Sequence, residues 1–144
     1  MSGANLAAAV SGAALTRAVL DLLRADTGVQ ELFGQPPRIH DGDAGAPAFP
    51  FARLERVEES DAGASCVEAR DYRLTLSTAS RHGGRAFALQ LVGALRAALE
   101  TTPLQVAGQT VVLQQVVYAD VMRTADLRRF RGLVRLRIIS EEAS

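Results

Sequence analysis

Six arginines, Arg123, Arg128, Arg129, Arg131, Arg135 and Arg137, fall within fifteen residues that contain a single acid, Asp126. A guanidinium fork grips a carboxylate or a phosphate through two parallel hydrogen bonds, so a stripe of this density is suited to anion contact. Its partner could be a phosphate backbone or an acidic protein surface; a solvated outer sheet face is the plain alternative. Phe130 is the one aromatic within the stripe, which argues against stacking on single-stranded bases. An acidic counterpart lies earlier, where Glu58, Glu59 and Asp61 cluster without the partner motif that acid–base chemistry needs. Residues 1–72 carry 6 Arg against 11 Asp and Glu, a balance of −5; residues 73–144 carry 10 Arg against 5, a balance of +5. Unlike halves suit association between different surfaces of successive copies, or simply pair with each other inside one fold.

Other constellations fall short of a site. Asp41-Gly42-Asp43 begins like a calcium loop, but the fifth position is Gly45 and the twelfth is Ala52, where a bidentate glutamate is required. A turn with Asx hydrogen bonds is the reading that remains. Ser80-Arg81-His82-Gly83-Gly84 could offer backbone N–H groups and Arg81 to a phosphate. The chain has no lysine to complete a phosphate loop, and the glycine pair is too short for a dinucleotide fingerprint, so a strand-to-helix turn is expected. Cys66, the sole cysteine, has no histidine beside it, and only His40 and His82 are present. A disulfide framework, a cysteine-rich or histidine-rich metal site and a nucleophile–base pair are all without support. No catalytic residue, cofactor or metal ligand is assigned.

The chain of 144 residues is 48% hydrophobic and 22% charged with zero net charge. These values suit one packed domain over 1–144, and the neutral balance argues against a general nucleic-acid coat. The N-terminus lacks the basic residues of a secretory signal. The apolar run from Leu6 to Leu23 is interrupted by Ser11, Gly12, Thr16, Arg17 and Asp21, so no membrane span is expected and synthesis is placed in the cytoplasm.

Hydrophobic spacing places the elements that would position the charged groups. Leu15, Val19, Leu22 and Leu23 form one stripe of a helix starting at Ser11 or earlier and ending at Arg24, with residues 1–10 frayed. Thr27 and Gln30 read as a capping box for a short second helix that Gly34 and Pro36-Pro37 stop. Arg38–His40 reads as a short strand, Phe49–Glu58 as extended, Glu58–Ser65 as an acidic connection and Val67–Ser77 as a strand paired to it as a hairpin. Arg85–Glu100 is the strongest helix, with Phe87, Leu91, Leu95 and Leu99 facing the sheet side of Val134, Leu136 and Ile138. Strands Thr110–Val121 and Phe130–Ile139 follow, and residues 140–144 form a tail. The order predicts an α+β fold, an antiparallel or mixed sheet with helices mainly on one face.

Three stretches of this pattern, together spanning Ala14 to Ile139, resemble a known family. They are Ala14–Phe33 with its Arg24-Ala25-Asp26 junction, leading to Arg38-Ile39-His40-Asp41; Leu74–Leu99, where Ser77-Thr78-Ala79-Ser80-Arg81 and a glycine pair open an alanine-rich helix; and Asp126–Ile139, with Arg129-Phe130-Arg131-Gly132 leading into the last strand. The chain is identified by them as similar to the tail-terminator, or tail completion, proteins of long-tailed phages and gene transfer agents. The resemblance implies a virion protein forming a ring, usually of six subunits, that caps the head-proximal end of the tail tube. It would end tube polymerisation and meet the neck proteins of the head, with DNA passing through its lumen. A head–tail connector or minor tail protein is the neighbouring alternative; a small ligand-binding α+β module, which would need a pocket of convergent polar groups, is the alternative of another class.

A ring that passes DNA has little use for tight phosphate binding, since each neutralised phosphate would hold the genome back. Arg123, Arg128, Arg129 and Arg131 are therefore expected at subunit or tube contacts, opposite Glu58, Glu59 and Asp61 of a neighbour.

Overall fold

Leu74 and Leu76 alternate with Arg73 and Thr75, while Val134, Leu136 and Ile138 alternate with Arg135 and Arg137. Each strand so written has one face that must leave water and one that must keep it. In the computed structural model, which describes residues 3–43, 45–63 and 68–142, with side chains from residue 12 onward, these strands pair at the centre of a five-stranded sheet. Cys66 and Val67 lie outside the described residues.

The elements are α1 (Gly3–Ala25), α2 (Thr27–Phe33), β1 (Ile39–Asp41), β2 (Phe51–Asp61), β3 (Ala69–Ser80), α3 (Gly84–Thr101), β4 (Gln109–Arg123) and β5 (Phe130–Glu142). Strand order is β1-β2-β3-β5-β4; β1 runs parallel to β2 and every other pair is antiparallel. The α+β class, the mixed sheet and the hairpin between β2 and β3 follow the sequence pattern. Leu15, Val19 and Leu23 of α1, Val29 and Phe33 of α2, and Leu91, Leu95 and Leu99 of α3 join Leu74, Leu76, Val134, Leu136 and Ile138 in one buried cluster. Phe87, at the first turns of α3, is only partly buried against it.

Several boundaries differ from the sequence expectation, each for a visible reason. Helix α1 begins at Gly3, so the alanine-rich stretch prolongs it where fraying was expected. Helix α2 is capped by Asp26, one residue before Thr27: its carboxylate accepts from the Val29 N–H at 3.0 Å, and Gln30 donates instead to the Arg24 carbonyl. Strand β2 continues through the acidic stretch to Asp61, because its whole length pairs with β3 down to Arg70. Strand β5 runs to Glu142, so residues 140–142 are ladder and not tail. Ser140 is buried and donates to Gln109 Oε1 at 2.8 Å, and the Glu142 N–H donates to the Glu68 carbonyl.

Gly132 sets how closely α3 approaches the sheet. Its N–H donates to Thr78 Oγ1 at 3.0 Å, and a Cβ there would collide with both that oxygen and Val92 Cγ2. The glycine lets the helix settle directly on β3 and β5. Leu95, fully buried in this layer, should lose about 2–5 kcal/mol of stability on Leu95→Ala. Chemical denaturation checks this; an unchanged midpoint would contradict the packing.

Candidate assembly interface

With all helices on one side, the outer sheet face must satisfy its own charges. The Asp71 carboxylate, 7% exposed, accepts from Arg137 Nε and Nη2 at 3.2 and 2.9 Å. Glu55 accepts from Arg131 Nη2 and from Ser77 Oγ, both at 2.8 Å, joining β5, β2 and β3 across the bare face. Arg135 lies over the Tyr118 ring, whose hydroxyl donates to Asp120 at 2.6 Å and is thereby raised above its ordinary pKa.

The remaining charges separate to the two ends of the sheet. At one end, the β4–β5 connection is held rigid. The Thr124 N–H donates to the Arg129 carbonyl, the Leu127 N–H to the Thr124 carbonyl, and Thr124 Oγ1 and the Arg128 N–H both donate to Asp126 Oδ1. Those bonds hold the Asp126 carboxyl below its usual pKa, the Thr124 hydroxyl contributing most. Leu127 takes a left-handed φ of 62° and stands 68% exposed at the tip, beside Arg128 and Arg129.

Two phenylalanines organise the arginines behind the tip. Arg123 and Arg85 approach the Phe130 ring at 5.0 and 5.7 Å, and Arg81 and Arg129 the Phe49 ring at 4.1 and 5.8 Å. Stacking orders the guanidiniums without neutralising them. Helix α3 also starts here, capped by Gly83 in the left-handed region, with no side-chain cap and no acid in its first turn, so its positive dipole end adds to the field. The register carries the acids to the other end: Glu58, Glu59 and Asp61 on β2 sit level with Arg70–Arg73 of β3 and Arg137–Ser140 of β5, close to Glu68, Glu141 and Glu142. Arg131 and Ser140 are nine residues apart on β5, so the two ends lie about 30 Å apart.

Among the sequence-predicted groups, Arg123, Arg128, Arg129 and Arg131 gather at one end and Glu58, Glu59 and Asp61 at the other. Within the subunit Arg131 pairs with Glu55, Glu58 with Arg56 at 3.4 Å, and Glu59 with Arg70 at 3.6 Å. Arg123, Arg128 and Arg129 form no ion pair among the described residues. Sequence reasoning placed Phe130 within the stripe but missed Phe49 and Arg85 as members of the cluster, because their meeting depends on element ends distant in sequence. The Asp43 loop is an Asx turn, its Oδ1 accepting from the Gly45 N–H at 2.9 Å. No group of three or more potential metal ligands occurs among the described residues, and no helix there is long and apolar enough to cross a membrane.

Residues 17–141 match the family described as tail completion protein gp17. The chain belongs to that family. A structural role in the tail of a virion or phage-like particle follows from this membership. Among solved structures, the tail completion fold is shared with a chain from the virion of a native gene transfer agent particle. That match has 21% identity and a TM-score of 0.80, and covers 91% of this chain and 97% of that one. It is shared also with the gp17 protein of bacteriophage SPP1, at 18% identity and a TM-score of 0.62, covering 94% of this chain and 92% of that one. No curated protein matches the sequence.

One titration in this tail completion protein has a readable consequence. His40 is held below its ordinary pKa of 6.5, first by burial and then by Arg24, Arg53 and Arg38, and its buried Nε2 has no hydrogen-bond partner among the described residues. The unfolded chain therefore binds a proton that the folded chain refuses, so stability should fall as pH drops below 6.5. Melting curves at about pH 7.5 and about pH 5.5 should show this fall in the wild type and a smaller one in His40→Gln. Equal slopes would contradict it.

Proposed function

We propose that the chain is a tail-terminator subunit, copies of which close into a ring of six on the head-proximal end of the tail tube. The ring stops tube polymerisation and presents its other surface to the neck proteins of the head, and DNA passes through the lumen without sequence-specific binding. The observation that carries this reading is the electrical polarity of the sheet in a member of a tail completion family. One end holds Arg123, Arg128 and Arg129 without carboxylate partners among the described residues, and the other holds the acids of β2 and β5. Two unlike patches per subunit support heterologous contacts, the kind that close into rings. Charge attraction then selects the register between neighbours and excludes like-against-like docking.

The decisive measurement is the mass of the purified protein with and without tail tube. The expected species with tube is six times 15.3 kDa, and assembly should weaken with salt, since screening at 0.15 M acts over about 8 Å. A strictly monomeric or two-fold species alongside the tube would overturn the ring.

Arg128→Glu together with Arg129→Glu should abolish ring formation or tube capping, and Glu58→Arg with Glu59→Arg should restore it. Particles that still assemble with the double glutamate variant but stall in DNA delivery would place these arginines at the lumen instead.

A further inference from the structure

We infer that the subunits join by strand addition, the half of β4 next to its hairpin pairing antiparallel with the far half of β2 in the next copy. This rests on the ring reading above and names the surface that builds it.

Two open edges carry the inference. Strand β4 is 15 residues long and β5 is its one strand partner among the described residues, so the outer edge of Tyr118–Arg123 carries N–H and C=O groups with no strand beside them. Strand β1 covers only Ala52–Leu54 of β2, so Arg56–Asp61 is bonded on one side alone. The β2 segment carries Arg56, Glu58, Glu59 and Asp61, but each edge also exposes apolar side chains. Val117, Tyr118 and Met122 stand 46–55% exposed along β4, and Val57 is 42% exposed on β2.

Strand direction decides how the edges meet. Strands β2, β3, β5 and β4 alternate in direction, so a second copy in the same orientation presents its β4 antiparallel to β2. That arrangement uses a different edge from each partner and is heterologous. A β4–β4 contact would use one edge twice and stop at a dimer.

The register is staggered. Bulges at Val112 and Val117 interrupt β4, whereas Tyr118–Arg123 is unbroken; on β2 the unbroken free segment is Arg56–Asp61. The two regular segments are each six residues long. Bringing them together slides one copy by about six residues, about 20 Å, toward the acidic end of its neighbour. Paired residues must share a sheet face. A register that meets this and sets no carboxylate opposite another places Met122 against Glu58 and Arg123 against Val57, one step from Glu59. Arg123 then lies diagonally across from Glu59 at the border of the acidic end, and the hairpin tip beyond it runs past Arg56 toward β1 of the next sheet.

The test uses full-length chains with Cys66→Ser. One population carries Ser60→Cys, a second Met122→Cys and a third Val112→Cys; pairs are mixed, assembled with tail tube and treated with a short bismaleimide, and mass is read on the same samples. The expected result is covalent linkage between the Ser60→Cys and Met122→Cys populations. An assembly of the expected mass with no link, with linkage of Ser60→Cys to Val112→Cys, or with Met122→Cys linked to itself overturns the strand pairing and leaves the ring intact. Absence of any assembly overturns the ring reading and the pairing with it.

Discussion

The antiparallel ladder between β3 and β5, running from Ala69↔Glu141 to Ser80↔Phe130, sets every other position in the molecule. β2 and β4 can only add to its flanks, and α3 can only settle where Gly132 and Thr78 leave room. A slip of one residue would turn one strand over, sending Leu74 and Leu76, or Val134 and Leu136, to solvent and driving Arg73, or Arg135 and Arg137, under the helices. Burying such charges unpaired costs several kcal/mol each, so alternative registers are strongly excluded.

The same ladder explains the bare face. Because α1, α2 and α3 all lie on one side, the other face cannot be sealed by apolar packing and is covered by charge pairs. An exposed ion pair contributes about 0–1 kcal/mol, so most of these set geometry more than stability. The Asp71–Arg137 pair differs: its carboxylate is buried and gripped by both nitrogens of the fork, and the half-exposed arginine keeps its hydration on the other side. It consumes charge toward the acidic end as Glu55 with Arg131 does toward the arginine end, and the charges left over remain at both ends.

A tail completion protein needs surfaces for contact and needs them rigid. The hairpin tip is fixed by the Thr124 and Asp126 hydrogen bonds, and the arginines behind it are ordered by phenylalanine faces, so little conformational entropy remains to be lost on docking. Charge without carboxylate partners and edges without strand partners occur on the same parts of the fold. Both describe a subunit that leaves part of its periphery unsatisfied.

The sequence by itself determined the element order, the apolar face of each long helix and strand, and the α+β class, because side-chain period is a local property that spacing records directly. It also determined that charge is divided between halves of the chain and, through patterns of residue class, the family. Tertiary structure decided where that charge goes. Pairings such as Glu55 with Arg131 and Asp71 with Arg137 join residues more than sixty positions apart, and periodicity carries no information about such partners. The chain's last strand brings Glu141 and Glu142 from the basic half to the acidic end, while Arg81 and Arg85 reach the arginine end from a turn between strand and helix. The fold thereby converts a division along the sequence into a division along the strands, because in an antiparallel sheet it is register, and not order in the chain, that decides which residues share an end.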